Sequence, residues 1–321
     1  MSDAPVFPPL EPFESGHLRM KDGNEICWEL SGLPTGKPVV CLHGGPGGGA
    51  GAGFRRHFDP AAHLIVAFDQ RGCGRSRPWA CHDRARLVSN TTQAIIADME
   101  ALRVHLGIGR WTIMGKSWGT ALGLAYAQAH PERVREMVLA LIHIPSAEVV
   151  DWITEHLRRV FPREWEALAA AVPRRPGQRM IDACHEGITH DDPAVREATA
   201  RAWCRWEDVH VSLDPCPKAA LSLMSDESQL NLATLTIHYW RHAGFLAERP
   251  LLENMHRIAH LPAVLIHGRL DISSPMSDAV ALHRRWPGSE LIVIPDEGHG
   301  GPRMADEINR AVARFLAADG L

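Results

Sequence analysis

No apolar run in the 321-residue chain reaches the roughly 18 residues a bilayer-spanning helix requires, so a helical membrane protein is not expected. Charge of one sign is equally scarce. Lys and Arg number 34 against 38 Asp and Glu, a net charge of −4, which gives no bulk attraction to nucleic acid or to an anionic membrane. The seven cysteines (Cys27, Cys41, Cys73, Cys81, Cys184, Cys204 and Cys216) form no C-x-x-C pair. Their odd number and irregular spacing predict reduced structural thiols and no metal site. The opening residues Met1 to Val6 carry neither a basic n-region nor an apolar h-region, which predicts a cytoplasmic protein. There is no internal repeat and, apart from one glycine run, no low-complexity tract. What remains is ordinary globular composition, 45% hydrophobic and 22% charged, enough for one large domain or a domain with a sizeable insertion.

Against that background one stretch stands out. Trp111-Thr112-Ile113-Met114 reads as a short apolar strand, Gly115-Lys116-Ser117-Trp118-Gly119 as a glycine-flanked turn, and Ala121-Leu122-Gly123-Leu124-Ala125-Tyr126 as the start of a helix. This is the G-x-S-x-G arrangement in which a serine on a tight strand-to-helix turn is pushed out toward substrate. Ser117 is therefore the candidate nucleophile. The Trp118 N–H, at the helix start, is a candidate donor to a developing oxyanion.

Around this turn the chain reads as an α/β protein. His17 to Met20 and Glu25 to Leu30 suggest an opening hairpin. Pro38 to Leu42, Leu64 to Phe68, Met137 to Ile142, Ala263 to Ile266 and Leu291 to Ile294 are apolar runs of the kind expected for strands buried on both faces. Asn90 to Leu106 has helical spacing with Thr91 or Thr92 as N-cap, and Ile308 to Leu316 is an amphipathic closing helix. From 144 to 253 no parallel-strand run appears, and proline-punctuated helical segments read as an all-helical cap inserted between core segments 1–143 and 254–321.

The glycine run His43-Gly44-Gly45-Pro46-Gly47-Gly48-Gly49 admits two readings. As G-x-G-x-x-A after a strand, with Asp69 closing the next strand, it fits a dinucleotide site. As a turn at the end of a central strand it fits an oxyanion loop aiming the Gly45 N–H at the same point as that of Trp118, with Gly44 beside it as a substrate-binding candidate. Pro46 removes a donor, and the residues up to Gly53 make a poor helix start, both of which favour the second reading.

A serine is a weak nucleophile at neutral pH and needs an imidazole and an orienting carboxylate. Asp271 follows the Ala263 to Gly268 segment, and His299 follows Leu291 to Ile294. The order Ser117, Asp271, His299 matches a serine hydrolase triad, although Asp296 and Glu297 are rival carboxylates. No cofactor is required by this chemistry.

His43-Gly44-Gly45-Pro46-Gly47, Asp69-Gln70-Arg71-Gly72 with Gly74-Arg75-Ser76, and Gly115-Lys116-Ser117-Trp118-Gly119 together resemble the proline iminopeptidase family of α/β-hydrolases. The resemblance runs through Ala125 to Pro131 and, more weakly in the insert, nearly to the C-terminus. It implies an α/β-hydrolase fold, a mostly parallel sheet with helices on both faces, and a serine aminopeptidase releasing an N-terminal residue, proline in the family's pattern. The substrate is then a peptide or aminoacyl small molecule. It further implies that Glu207, in Trp203-Cys204-Arg205-Trp206-Glu207, binds the substrate amine. Two positions depart from the family's pattern: Thr236 stands where a second glutamate is expected before His238-Tyr239, and Lys116 where glycine is usual. These departures leave room for an amidase or esterase of an aminoacyl small molecule or other acyl substrate without strict proline preference.

Overall fold

The computed structural model describes residues 7–214, 220–246 and 251–318. Pro215, Cys216, Pro217 and the opening residues Met1 to Val6 lie outside the described residues. β1 (Glu14–Arg19) and β2 (Glu25–Gly32) form the expected antiparallel hairpin. The remaining strands are β3 (Lys37–Leu42), β4 (His63–Phe68), β5 (Trp111–Lys116), β6 (Val134–Ala140), β7 (Ala263–Gly268) and β8 (Ser289–Ile294). They build one sheet in the order β1-β2-β4-β3-β5-β6-β7-β8, antiparallel as far as the β2–β4 pair and parallel from β4 onward.

Alternation along the strands explains how both faces are covered. Val40, Leu42, Val66, Ile113, Met137, Leu139 and Leu265 point to one side. There they meet α1 (Thr92–His105) and α2 (Trp118–Ala129), which cross between strands. Val39, Cys41, Ile65, Met114, Val138, Val264 and Ile266 point to the other side and a second apolar cluster. Thr91 is the N-cap of α1, its side chain accepting from Ala94 N–H. Val104, which the helical spacing counts as apolar face, is 66% exposed, because α1 turns that flank to solvent.

Between β6 and β7 the described chain contains no strand. It forms α3 (Ala147–Asp151), α4 (Pro162–Ala171), α5 (Met180–Ile188), α6 (Pro193–His210) and α7 (Asp226–Arg241). These helices share an apolar cluster of their own, including Val149, Ile153, Leu168, Met180, Trp203 and Ile237. Leu235 and Tyr239 of α7, then Leu246, Leu251 and Met255, pack instead with the α1–α2 side of the sheet. The chain ends with α8 (Met276–Arg284), whose Ala279 and Leu282 join that same side, and α9 (Pro302–Ala318), whose Met304, Ile308, Ala311 and Val312 close the opposite cluster.

Candidate active site

Ser117 sits between β5 and α2 with φ 55° and ψ −125°. Holding a non-glycine residue there costs on the order of 1–3 kcal/mol. The flanking glycines make the turn possible: a Cβ on Gly115 would collide with the Gly119 carbonyl, and one on Gly119 with the carbonyls of Leu42 and His43. The Ser117 N–H donates to Ala140 O at 3.0 Å, which pins the turn to β6.

The two downstream loops converge on it. His299 Nε2 lies 3.0 Å from Ser117 Oγ, and His299 Nδ1 lies 2.7 Å from Asp271 Oδ2. An ionised carboxylate only accepts, so Nδ1 carries the ring proton and Nε2 is left to accept from the serine hydroxyl. The other Asp271 oxygen accepts from Ser273 Oγ at 3.0 Å and from Ser274 N–H at 2.9 Å. Burial pushes the Asp271 carboxyl upward, but the neighbouring His299, by charge and hydrogen bond, outweighs it and holds the group below its ordinary 3.8. The rival carboxylates are engaged elsewhere. Glu297 accepts from the Arg303 and Met304 N–H groups, both at 2.8 Å, at the start of α9, and Asp296 pairs with Arg303 at the surface.

The glycine loop packs directly on Ser117: a Cβ on Gly44 would stand 3.2 Å from Ser117 Cβ. Its orientation is set by a polar chain. His43 Nδ1 donates to Gly44 O at 2.9 Å, Gln70 N–H donates to His43 Nε2 at 3.0 Å, Gln70 Nε2 donates to His43 O at 3.0 Å, and Trp118 Nε1 donates to Gln70 Oε1 at 3.0 Å. The loop, the turn after β4 and the start of α2 are thus one unit. Asp69 is not free for a ribose, since it accepts from Ala50 N–H at 2.6 Å and from Arg75 Nε at 2.8 Å. No α-helix follows the glycines; the chain makes a 3₁₀ turn over Ala52–His57. Both features count against the dinucleotide reading.

Ser117, His299 and Gly45 open on a cavity of about 420 Å³ whose far wall comes from α6 and the residues after it. Glu207 reaches this cavity, with Trp203 Nε1 donating to its Oε1 at 2.6 Å. Desolvation pushes its carboxyl up to about 7, against the Trp203 hydrogen bond. Asp208 and Asp214 also line the cavity, and among the described residues no Lys or Arg does. Burial, with the charge of His299 nearby, pulls two further lining histidines, His143 and His210, down to about 4 and about 3. Their neutrality at pH 7 leaves the walls acidic.

Among families of known proteins, the alpha/beta hydrolase fold family matches residues 37–301. A proline iminopeptidase of Arabidopsis thaliana is 39% identical over 297 residues, 92% of this chain and 77% of its own length. A probable proline iminopeptidase of Streptomyces coelicolor is 39% identical over 321 residues, covering 98% of each chain. The chain belongs to the proline iminopeptidase family of α/β-hydrolases. The fold agrees: the crystal structure of a Mycobacterium smegmatis proline iminopeptidase superposes with a TM-score of 0.63 at 20% identity, over 95% of this chain and 98% of that one.

Within the family framework, the two departures now have physical descriptions. Thr236 is buried under the glycine loop, its hydroxyl shared between the carbonyls of Leu232 (2.9 Å) and Pro46 (3.2 Å). Lys116 turns away from the cavity. Its Nζ lies 2.8 Å from His57 Nε2 and 5.1 Å from the centre of the Phe54 ring. Sequence reasoning missed Ser212 and Asp214, which follow α6 and touch the His299 loop. It also missed Ser273 and Ser274, although a pair of serines two and three residues after an aspartate is a legible local capping pattern.

Proposed function

We propose that the protein is a cytoplasmic serine aminopeptidase that releases an N-terminal residue, proline first among candidates, from peptides or aminoacyl amides through an acyl-enzyme. The observation that carries this reading is the continuous Ser117–His299–Asp271 hydrogen-bond chain at one side of an acidic cavity. Ser117 Oγ attacks the acyl carbonyl while His299 Nε2 takes its proton. Asp271 keeps the imidazole oriented and stabilises the imidazolium. The N–H groups of Gly45 and Trp118 receive the oxyanion, and Gly44, which leaves no side chain beside Ser117, lets the carbonyl approach. His299 then gives its proton to the leaving amine, and water repeats the sequence on the ester.

Glu207 supplies the selectivity for a free amine. A carboxylate lifted toward neutrality by desolvation regains its charge when an ammonium arrives beside it. An acylated N-terminus would bury it without a partner. Residues 144–253 form the cap that carries this group over the core segments 1–143 and 254–321. The proposed compartment suits the thiols: Cys27, Cys41, Cys73, Cys184 and Cys204 are buried and free. Thr236 favours a second reading, an amidase or esterase acting on other acyl substrates, because it brings no second carboxylate. Parallel assays of prolyl and other aminoacyl naphthylamides, free and N-acetylated, separate the two. The aminopeptidase reading expects turnover of the free-amine substrates only, lost in Ser117→Ala; equal rates on the acetylated forms would overturn it.

A further inference from the structure

The residues that follow α6 make a contact that the reaction as described leaves unused. Leu213 N–H donates to Leu270 O at 3.0 Å, one residue before Asp271. Gly298 N–H donates to Asp214 Oδ2 at 2.8 Å, and His299 N–H to Ser212 Oγ at 3.3 Å. The Ser212 hydroxyl in turn donates to Asp214 Oδ2. Three main-chain groups of the two loops that hold the imidazole and its carboxylate are therefore bound to one short segment of the helical insert. The approach is close enough to dictate sequence. A Cβ on Gly298 would overlap Ser212 Oγ and come within 2.8 Å of Asp214 Oδ2.

We infer that Ser212 and Asp214 are positioning residues for the general base: the insert, through this clasp, sets where His299 stands relative to Ser117. The inference rests on the triad reading above. Neither residue is asked to touch the reacting atoms. Both act on the backbone that carries the imidazole, because the His299 side chain hangs from the glycine-flanked loop Gly298-His299-Gly300-Gly301. Around that loop Gly300 N–H donates to Gly298 O at 2.9 Å, Leu270 N–H to Glu297 O at 3.0 Å and Ala305 N–H to Gly301 O at 3.1 Å, which shape the turn and fix its two ends. The clasp adds the link to the helical insert. It also joins two tasks on one rigid element: Val211 N–H donates to Glu207 O at 3.3 Å, so the helix that presents Glu207 runs directly into the segment that holds the His299 backbone.

The consequence for catalysis is a loss of rate without a loss of binding. Misplacing a catalytic group by about 1 Å costs on the order of 100-fold in rate. Ser212→Ala and Asp214→Ala are expected to lower kcat by about 10- to 100-fold on an aminoacyl naphthylamide, with KM changed by less than about threefold. The same variants should slow fluorophosphonate labelling of Ser117 in parallel, because that reaction needs the base but not amine recognition. Asp214→Asn keeps an oxygen for the Gly298 N–H and should lose less than Asp214→Ala. Rates are expressed per folded enzyme, counted by circular dichroism and thermal unfolding, so that a variant that only unfolds is not counted as slow. Should one alanine variant fail to fold, the other and Asp214→Asn decide. Alanine variants with wild-type kcat and labelling rate, or a loss confined to KM, would overturn the inference. Ser117→Ala run beside them tests the triad separately: if its turnover persists, the triad reading fails and the clasp proposal with it, whereas a dead Ser117→Ala beside unaffected clasp variants refutes the clasp alone.

Discussion

Glu207 shows how burial shifts a single group, and its proposed task depends on that shift. With its carboxyl pushed up to about 7 by desolvation, the empty enzyme holds it about half protonated at neutral pH, and the protonated form offers an ammonium no charge. kcat/KM for a free-amine substrate should therefore fall as pH drops below about 7. Glu207→Gln should cost about 10- to 100-fold on such a substrate, the worth of a charged hydrogen bond, while leaving an N-acetylated comparison unchanged. Stability runs the opposite way. The folded carboxyl holds its proton more tightly than the ordinary 4.5, so its stabilising contribution is complete below that pH and is lost as pH rises through about 7. The Tm gain of Glu207→Gln over wild type should accordingly be larger at pH 8 than at pH 5 in thermal unfolding. Lys116 behaves as a buried base. Desolvation pulls it from 10.5 to about 8, so the unfolded chain binds more protons between those values and stability rises with pH across that window. Lys116→Met removes the buried charge, and its Tm relative to wild type should fall between pH 7 and pH 10. The meeting of Ser117, Asp271 and His299 was expected from their places after apolar strands, whereas Glu207 was pointed to only by the family resemblance. The direction of Lys116 was not readable in the sequence, since His57 and Phe54 are brought to it only by the fold.

At the scale of elements, the strands were legible wherever both faces are covered, because a run such as Val39-Val40-Cys41-Leu42 needs no polar alternation. The start of β6 was harder to read: Val134-Arg135-Glu136 mixes charge into a strand whose Glu136 carboxylate is buried against Lys37 at 2.8 Å. The loop Asp69-Gln70-Arg71-Gly72-Cys73-Gly74-Arg75-Ser76 is locked by charge. Glu29 on β2 accepts from both Arg55 and Arg75, and Arg75 also holds Asp69. Arg55 and Glu29 are almost fully buried, so Glu29→Ala leaves a guanidinium without its charge partner and should cost about 3–5 kcal/mol in chemical denaturation. The Ser117 turn is as intolerant. Gly119→Ala forces a Cβ against backbone carbonyls that have no room to move, and a loss of at least about 2 kcal/mol is expected. The contacts of Ser212 and Asp214 gave no local signal, being defined only by a loop more than eighty residues away in the chain.

Across the whole molecule, the parallel sheet delivers its chemistry at one edge: β5, β7 and β8 end in the segments that supply Ser117, Asp271 and His299, and β3 ends in the glycine loop. That convergence follows from strand direction alone, since parallel strands present their carboxyl ends on the same side, which is why the chain order of serine, aspartate and histidine was informative before any coordinates. The helical insert was legible as an insert, through the absence of strand runs, but its packing was not, because helix faces such as Trp203 and Trp206 find their partners through tertiary contact rather than spacing. The account as a whole depends on Ser117 being an activated nucleophile. Intact-mass analysis after fluorophosphonate treatment tests this most directly. A single adduct that maps to the peptide containing Ser117, abolished in Ser117→Ala and slowed at least about 1,000-fold in His299→Ala, is the predicted result. Wild-type turnover persisting with Ser117 unmodified, or an adduct on another residue that alone stops the reaction, would contradict it.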